Sequence, residues 1–119
     1  MAFINLHHLF RALFYSLAGL RRAWRNEQAF RHETLTWPLI ILLLLALRPG
    51  PGWTAAAVFG WLLVMALELL NSAIEEAFNL ISPEYNEHVK FGKDMASAAI
   101  FLALMGNAAL WLCLLWDAL

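Results

Sequence analysis

The sequence has one cysteine, Cys113, set in an apolar run. No intrachain disulfide can form, and neither thiol redox chemistry nor a structural metal site has the residues it needs, so Cys113 reads as a packing residue. A P-loop and the glycine-rich loop of protein kinases are both missing, so any nucleotide site must be built another way. No apolar segment is followed by a small-residue cleavage site; we expect no signal peptide, and insertion then falls to the membrane helices themselves. The formal net charge is −1, so nothing in the total points to nucleic acid as a partner. Internal repeats, low-complexity tracts and linkers are missing as well, and the length fits a single domain over residues 1–119.

What is present is apolar. Hydrophobic residues make up 62% of the chain, against roughly 45 to 50% in soluble proteins. The 6 Trp and 8 Phe suit a protein surrounded by lipid, where aromatics anchor the ends of spanning helices. The class expected is therefore an all-α membrane protein.

From Asn5 to Glu27, the residues Phe3, Leu6, Phe10, Leu13, Phe14, Leu17, Leu20 and Trp24 recur every three or four positions, with Arg11, Arg21, Arg22 and Arg25 between them. Residues 1–28 read as an amphipathic helix on the membrane interface; a surface helix packed on other protein is the alternative. Gly19 is expected to loosen it near the middle.

Three membrane helices follow, over 30–47, 53–80 and 90–116. The first apolar run, Leu35 to Leu47, is short for a span of about 20 residues, and becomes adequate if the helix begins near Phe30 with Arg31 snorkelling to the headgroups. Pro38 should kink or thin its first turns. Arg48-Pro49-Gly50-Pro51-Gly52 breaks the chain and forces a hairpin. The second helix is uncharged from Trp53 through Leu67 and then turns polar. Ser82 to His88 reads as a polar loop, and the third helix carries no charge between Asp94 and Trp116. Arginines precede the first span, and Lys90 and Lys93 precede the third, whereas the hairpin holds only Arg48; the positive-inside rule places the N-terminus and the Ser82 to Lys93 loop in the cytoplasm.

The chemistry concentrates on the second helix. At 100° per residue, Glu68, Asn71, Ser72, Glu75 and Asn79 share an arc of roughly 100°, with Glu76 further round. Ionisable groups at membrane depth cost about 2.5 to 3.5 kcal/mol each on insertion scales, so they face protein, water or a cation and mark function. Glu68 is the deepest and suits a general base; the plainer reading makes Glu68, Asn71 and Ser72 bridges between helices. Glu75 could hold a divalent cation, since Mg²⁺ takes one or two carboxylates plus substrate phosphates. Glu27 is a candidate second carboxylate, or a solvated surface charge. Lys93 could neutralise phosphate oxygens, and Asp94 could equally be a helix N-terminal charge. His7, His8, His32 and His88 lack metal-ligand spacing and read as interfacial.

The segments Glu68-Leu69-Leu70-Asn71-Ser72-Ala73-Ile74-Glu75 and Lys93-Asp94-Met95-Ala96-Ser97-Ala98-Ala99 look like the signature of the prokaryotic integral-membrane diacylglycerol kinase family, and Gly19 to Arg31 resembles that family's amphipathic helix. The similarity runs nearly end to end. It implies a homotrimer of three-helix protomers in the bacterial inner membrane, with sites shared between subunits, transferring the γ-phosphoryl group of MgATP to diacylglycerol to give phosphatidic acid. By motif position the resemblance implies that Glu68 is the general base, that Glu27 and Glu75 are Mg²⁺ ligands, and that Asn71, Lys93 and Asp94 take catalytic and nucleotide-contacting places. It aligns Tyr15, Glu84, Tyr85 and Asn86 with nucleotide contacts. The lipid would touch His8, Ala12, Ser16, Arg21, Trp24, Ala29, Arg31, Glu33, Glu68, Ser97, Trp111 and Trp116. Three departures stand out: His8 where the family has arginine, Asn79 where aspartate is frequent, and Asn86 where histidine is common.

An undecaprenol kinase of the same fold is the nearest alternative. An ion or proton conductor would need a polar ladder across the bilayer, whereas the outer halves of helices two and three read as wholly apolar. A noncatalytic membrane interaction protein is the third.

Overall fold

The computed structural model describes residues 5–119. Every regular element among them is helical: α1 (Leu6–Asn26), α2 (Gln28–Leu35), α3 (Trp37–Leu47), α4 (Pro51–Ile81) and α5 (Glu87–Ala118). Three segments are long and apolar enough to cross a membrane: Gln28–Leu47, Pro51–Ile81 and Glu87–Ala118. At 1.5 Å per residue even the shortest reaches about 30 Å, the thickness of the hydrocarbon layer.

Local chemistry sets the boundaries. The Asn5 side chain accepts from the backbone N–H of His8 at 3.4 Å and opens α1. The helix then runs without a break through Gly19 to Asn26. Glu27 leaves helical geometry at φ −110°, ψ 107°, and the chain turns into α2. Pro38 has no N–H to give to the previous turn, and the interruption falls at Thr36, between α2 and α3. Arg48 in the left-handed region and Gly50 at φ 100° reverse the chain ahead of Pro51; a side chain at Gly50 would be strained there. The Asn86 side chain accepts from the N–H groups of His88 and Val89 and caps α5. Glu87 and His88 therefore belong to the helix and not to the preceding loop, because an Asx cap starts a helix at the next residue.

Packing is uneven along the molecule. Near the hairpin, Ile40, Leu44, Ala57 and Leu114 are buried together, with Trp37, Leu47, Trp61 and Trp111 packed around them. Three indoles tie the helices: Trp37 Nε1 reaches Met65 Sδ at 3.2 Å, Trp61 Nε1 donates to the Glu33 carbonyl at 2.8 Å, and Trp53 Nε1 donates to Asp117 Oδ2 at 2.9 Å. α4 and α5 form the most extensive helix pair, and small residues let them approach. A Cβ on Gly92 would sit 2.5 Å from the Phe78 ring, and one on Gly60 would sit 2.8 Å from Asn107 Oδ1.

Asn107 corrects the expectation that the outer halves of the second and third membrane helices are wholly apolar. It is buried, and its amide donates to the Gly60 and Ala103 carbonyls, both at 2.9 Å. One amide whose N–H groups are taken up by the adjoining backbone is interhelical glue, and it does not make a ladder.

Candidate functional site

The site is assembled where α2 crosses α4, at the end of the molecule that carries the Ser82–Asn86 loop. Trp61 holds the Glu33 carbonyl, and about two helical turns farther along α4 the Glu68 carboxyl lies within hydrogen-bonding reach of the Glu33 carboxyl. Glu27 and Glu75 are close enough for their charges to act on Glu68. Carboxylates supply acceptors only, so this group is completed by a proton, a cation or an outside donor. The unmet demand is visible in two atoms: Glu33 Oε1 and Asn71 Oδ1 are buried with no hydrogen-bond partner. Buried polar atoms left unpaired cost free energy, and their concentration beside Glu68 marks a place prepared for something further.

Two recesses flank this centre. One, of about 720 Å³, runs between α1 and α4; Ser16, Leu20, Ala23 and Leu69 form its apolar part, and Arg22, Asn26, Glu27 and Glu76 its polar part. The other, of about 370 Å³, lies under the loop and includes Glu84, Tyr85, Asn86, Lys90, Lys93 and Asp94. Lys93 Nζ donates to Asn79 Oδ1 at 2.8 Å. That partner is neutral and leaves the ammonium charge uncompensated. Lys90, by contrast, pairs with Asp94 at 2.8 Å, and both are largely exposed.

The remaining candidates divide. Ser16 lines the α1–α4 recess, although its hydroxyl donates back to the Ala12 carbonyl. His8, Ala12, Tyr15, Arg21, Trp24, Ala29 and Ser97 are exposed on the single chain. Arg31 does not snorkel outward: its Nη1 donates to the Trp24 and Arg25 carbonyls at 3.0 and 2.9 Å, satisfying the last turn of α1 where the chain breaks at Glu27. Asn86 is committed as the α5 cap. Trp111 packs on the hairpin core, and Trp116 is exposed at the far end of α5, about 35 Å of helix from Lys93. One chain does not bring these two to Glu68.

Hard oxygen donors suit Mg²⁺, which keeps waters and binds through one or two carboxylates plus phosphates. Among the described residues no three His, Cys, Asp or Glu side chains close on one point. The donor chemistry of Glu27 and Glu75 therefore fits a cation that arrives with its own phosphate ligands, and does not form a protein cage.

The profile of the family described as prokaryotic diacylglycerol kinase matches residues 14–115. The chain is 38% identical over 109 residues to the diacylglycerol kinase of Escherichia coli strain K12, covering 92% of this chain and 89% of the relative. The chain belongs to the prokaryotic diacylglycerol kinase family. A relative of the same name from Haemophilus influenzae is 41% identical over 107 residues, covering 90% of this chain and 91% of its own length. Another from Pseudomonas aeruginosa is 38% identical over 111 residues, covering 93% and 90%. Family membership makes the chain a kinase of lipid metabolism, and its three apolar helices make it a multi-pass membrane protein.

Sequence reading did not foresee three features near this site: the pairing of Glu33 with Glu68, the turn of Glu76 into the α1–α4 recess, and the Lys90–Asp94 ion pair. Only the last had a signal, a lysine four residues before an aspartate on one helix face.

Proposed function

We propose that the chain transfers the γ-phosphoryl group of ATP to the free hydroxyl of diacylglycerol, giving phosphatidic acid at the cytoplasmic face of the bacterial inner membrane. The observation that carries this reading is the carboxyl pair Glu33–Glu68, with orphaned acceptors beside it, in a chain whose relatives bear the name diacylglycerol kinase.

In this reading Glu68 accepts the proton of the lipid hydroxyl as that oxygen attacks the γ-phosphorus, and the bond to the β,γ-bridging oxygen breaks to release ADP. Asn71 orients the reacting groups through its unpaired amide oxygen. Lys93, held by neutral Asn79, spends its charge on phosphate oxygens, and Glu84 and Tyr85 face the nucleotide from the loop. Glu27 and Glu75 would hold Mg²⁺, which neutralises triphosphate charge when bound. Phosphoryl transfer asks chiefly for positioning and electrostatic stabilisation, so this short roster suffices. The α1 helix lies along the cytoplasmic interface with the N-terminus on that side, and the diacylglycerol hydroxyl meets Glu68 at headgroup depth. The protein works as a homotrimer, because the helices of one chain enclose too little of the site; a neighbour supplies the missing walls and donors.

Transfer of labelled phosphate from MgATP to a lipid panel, in detergent and in bilayers, tests the proposal. Diacylglycerol should be the preferred acceptor. Labelling of undecaprenol alone moves the acceptor assignment to the polyprenol, and labelling of no lipid removes the activity.

A further inference from the structure

We propose that Glu76 is a specificity-determining residue: its carboxylate reserves the α1–α4 recess for uncharged lipid alcohols and drives out the phosphorylated product. The inference rests on the kinase reading for its substrate and product, and on the recess for its geometry. One residue past Glu75, Glu76 is rotated about 100° off the face that carries Glu68, and it lines the recess opposite α1. The small and apolar residues there, Gly19, Ala23, Leu69 and Ala73, offer width and surface for an acyl-glycerol body. The polar end sets one arginine, Arg22, against two glutamates, Glu27 and Glu76.

Among the described residues the only ion pair within 4.0 Å is Lys90–Asp94, so Glu76 is not ion-paired, and Arg22 offsets only one of the two glutamate charges in the recess. A neutral alcohol meets no electrostatic barrier at this end. A phosphomonoester carries about 1.5 to 2 negative charges at neutral pH and is repelled. Phosphoryl transfer creates that charge in place, so Glu76 takes effect after the chemical step, on the product, without touching the reacting atoms.

The full chain, reconstituted in detergent–lipid micelles, is compared with Glu76→Gln and with Glu76→Asp, which keeps the charge. Two quantities are read: the inhibition constant of phosphatidic acid divided by the KM of diacylglycerol, and the same ratio from equilibrium binding of fluorescent forms of both lipids. Glu76→Gln should lower each ratio about 3- to 5-fold, the scale of one partly exposed charge contact. Glu76→Asp should keep the wild-type value, and raised salt should narrow the difference. Ratios that Glu76→Gln leaves unchanged overturn the proposal, as does a shift that salt does not diminish. The binding arm separates the two readings: if wild type phosphorylates no lipid the kinase assignment fails, while the ratio of affinities still decides the role of Glu76.

Discussion

The hairpin end and the loop end of the molecule solve opposite problems. Around Ala57 and Leu114, both with no exposed surface, one chain closes its own core and gives the indole N–H groups of Trp37, Trp53 and Trp61 partners. At the loop end Leu80, Ile81 and Tyr85 remain 86%, 76% and 82% exposed, while Glu33 and Asn71 each bury an acceptor that nothing meets. Stability is concentrated at one end and unmet demand at the other. The Glu33 and Glu68 carboxyls sit at the loop end, outside the buried cluster that closes the helices on one another. Asn107 is the exception within the well-packed half: its Oδ1 is also unpaired, pressed toward the Gly60 backbone.

Glu68→Gln breaks this contrast most sharply if the contrast is wrong. Losing the proposed base should slow lipid phosphorylation by about 10²- to 10⁴-fold, measured by labelled-phosphate transfer. Removing one charge from a carboxyl pair should leave thermal unfolding in detergent at or above the wild-type midpoint. A large fall in that midpoint would show that the carboxyl pair holds the fold together, and the division between the two ends would collapse.

Leu114→Ala should do the reverse. The side chain is fully buried among Ile40, Leu44 and Ala57, and its truncation should cost about 2 kcal/mol or more in unfolding free energy. In a bilayer the loss is of packing and not of water exclusion, so the value belongs at the low end of the range. The KM for ATP should hold, since the recess under the loop, proposed to take the nucleotide, is at the other end of α5. Steady-state unfolding in mixed micelles and nucleotide titrations check the two halves of this expectation.

Much of the architecture was legible because its signals are local. Arg48 to Gly52 announced the hairpin, Pro38 announced a break in the first span, and the 100° step gathered Glu68, Asn71 and Glu75 on one face without any tertiary knowledge. What sequence concealed depends on how helices meet. Arg31 looked like a snorkelling residue until the break at Glu27 exposed the α1 carbonyls that it satisfies. Glu33 meets Glu68 where α2 crosses α4, at a crossing that the Trp61 indole ties to the Glu33 carbonyl. Asn107 was overlooked as one amide in an apolar run; its opposing Gly60 lies 47 positions earlier, and no periodicity links them.

That pair gives the next test. A methyl group at Gly60 would meet Asn107 Oδ1 at 2.8 Å, so Gly60→Ala should destabilise the protein by about 1 to 3 kcal/mol through forced repacking. In an Asn107→Ala background the obstacle is gone, and the same substitution should cost much less. Additive effects would mean that the two residues do not meet, and the middle of the α4–α5 seam would then be held by apolar packing alone.

The smallest effect is expected at the rim. Trp53 Nε1 donates to Asp117 Oδ2, joining the start of α4 to the last turn of α5, but Asp117 is exposed and water can replace the indole. A hydrogen bond to a charged group is worth about 1.5 to 3 kcal/mol when shielded, and an exposed ionic contact about 0.2 to 1 kcal/mol; the open setting selects the lower range. Trp53→Phe keeps the ring against the core and removes the donor, so unfolding should shift by under about 1 kcal/mol with activity unchanged. A larger loss would place the rim within the closed core and move the boundary between the two ends outward to Asp117.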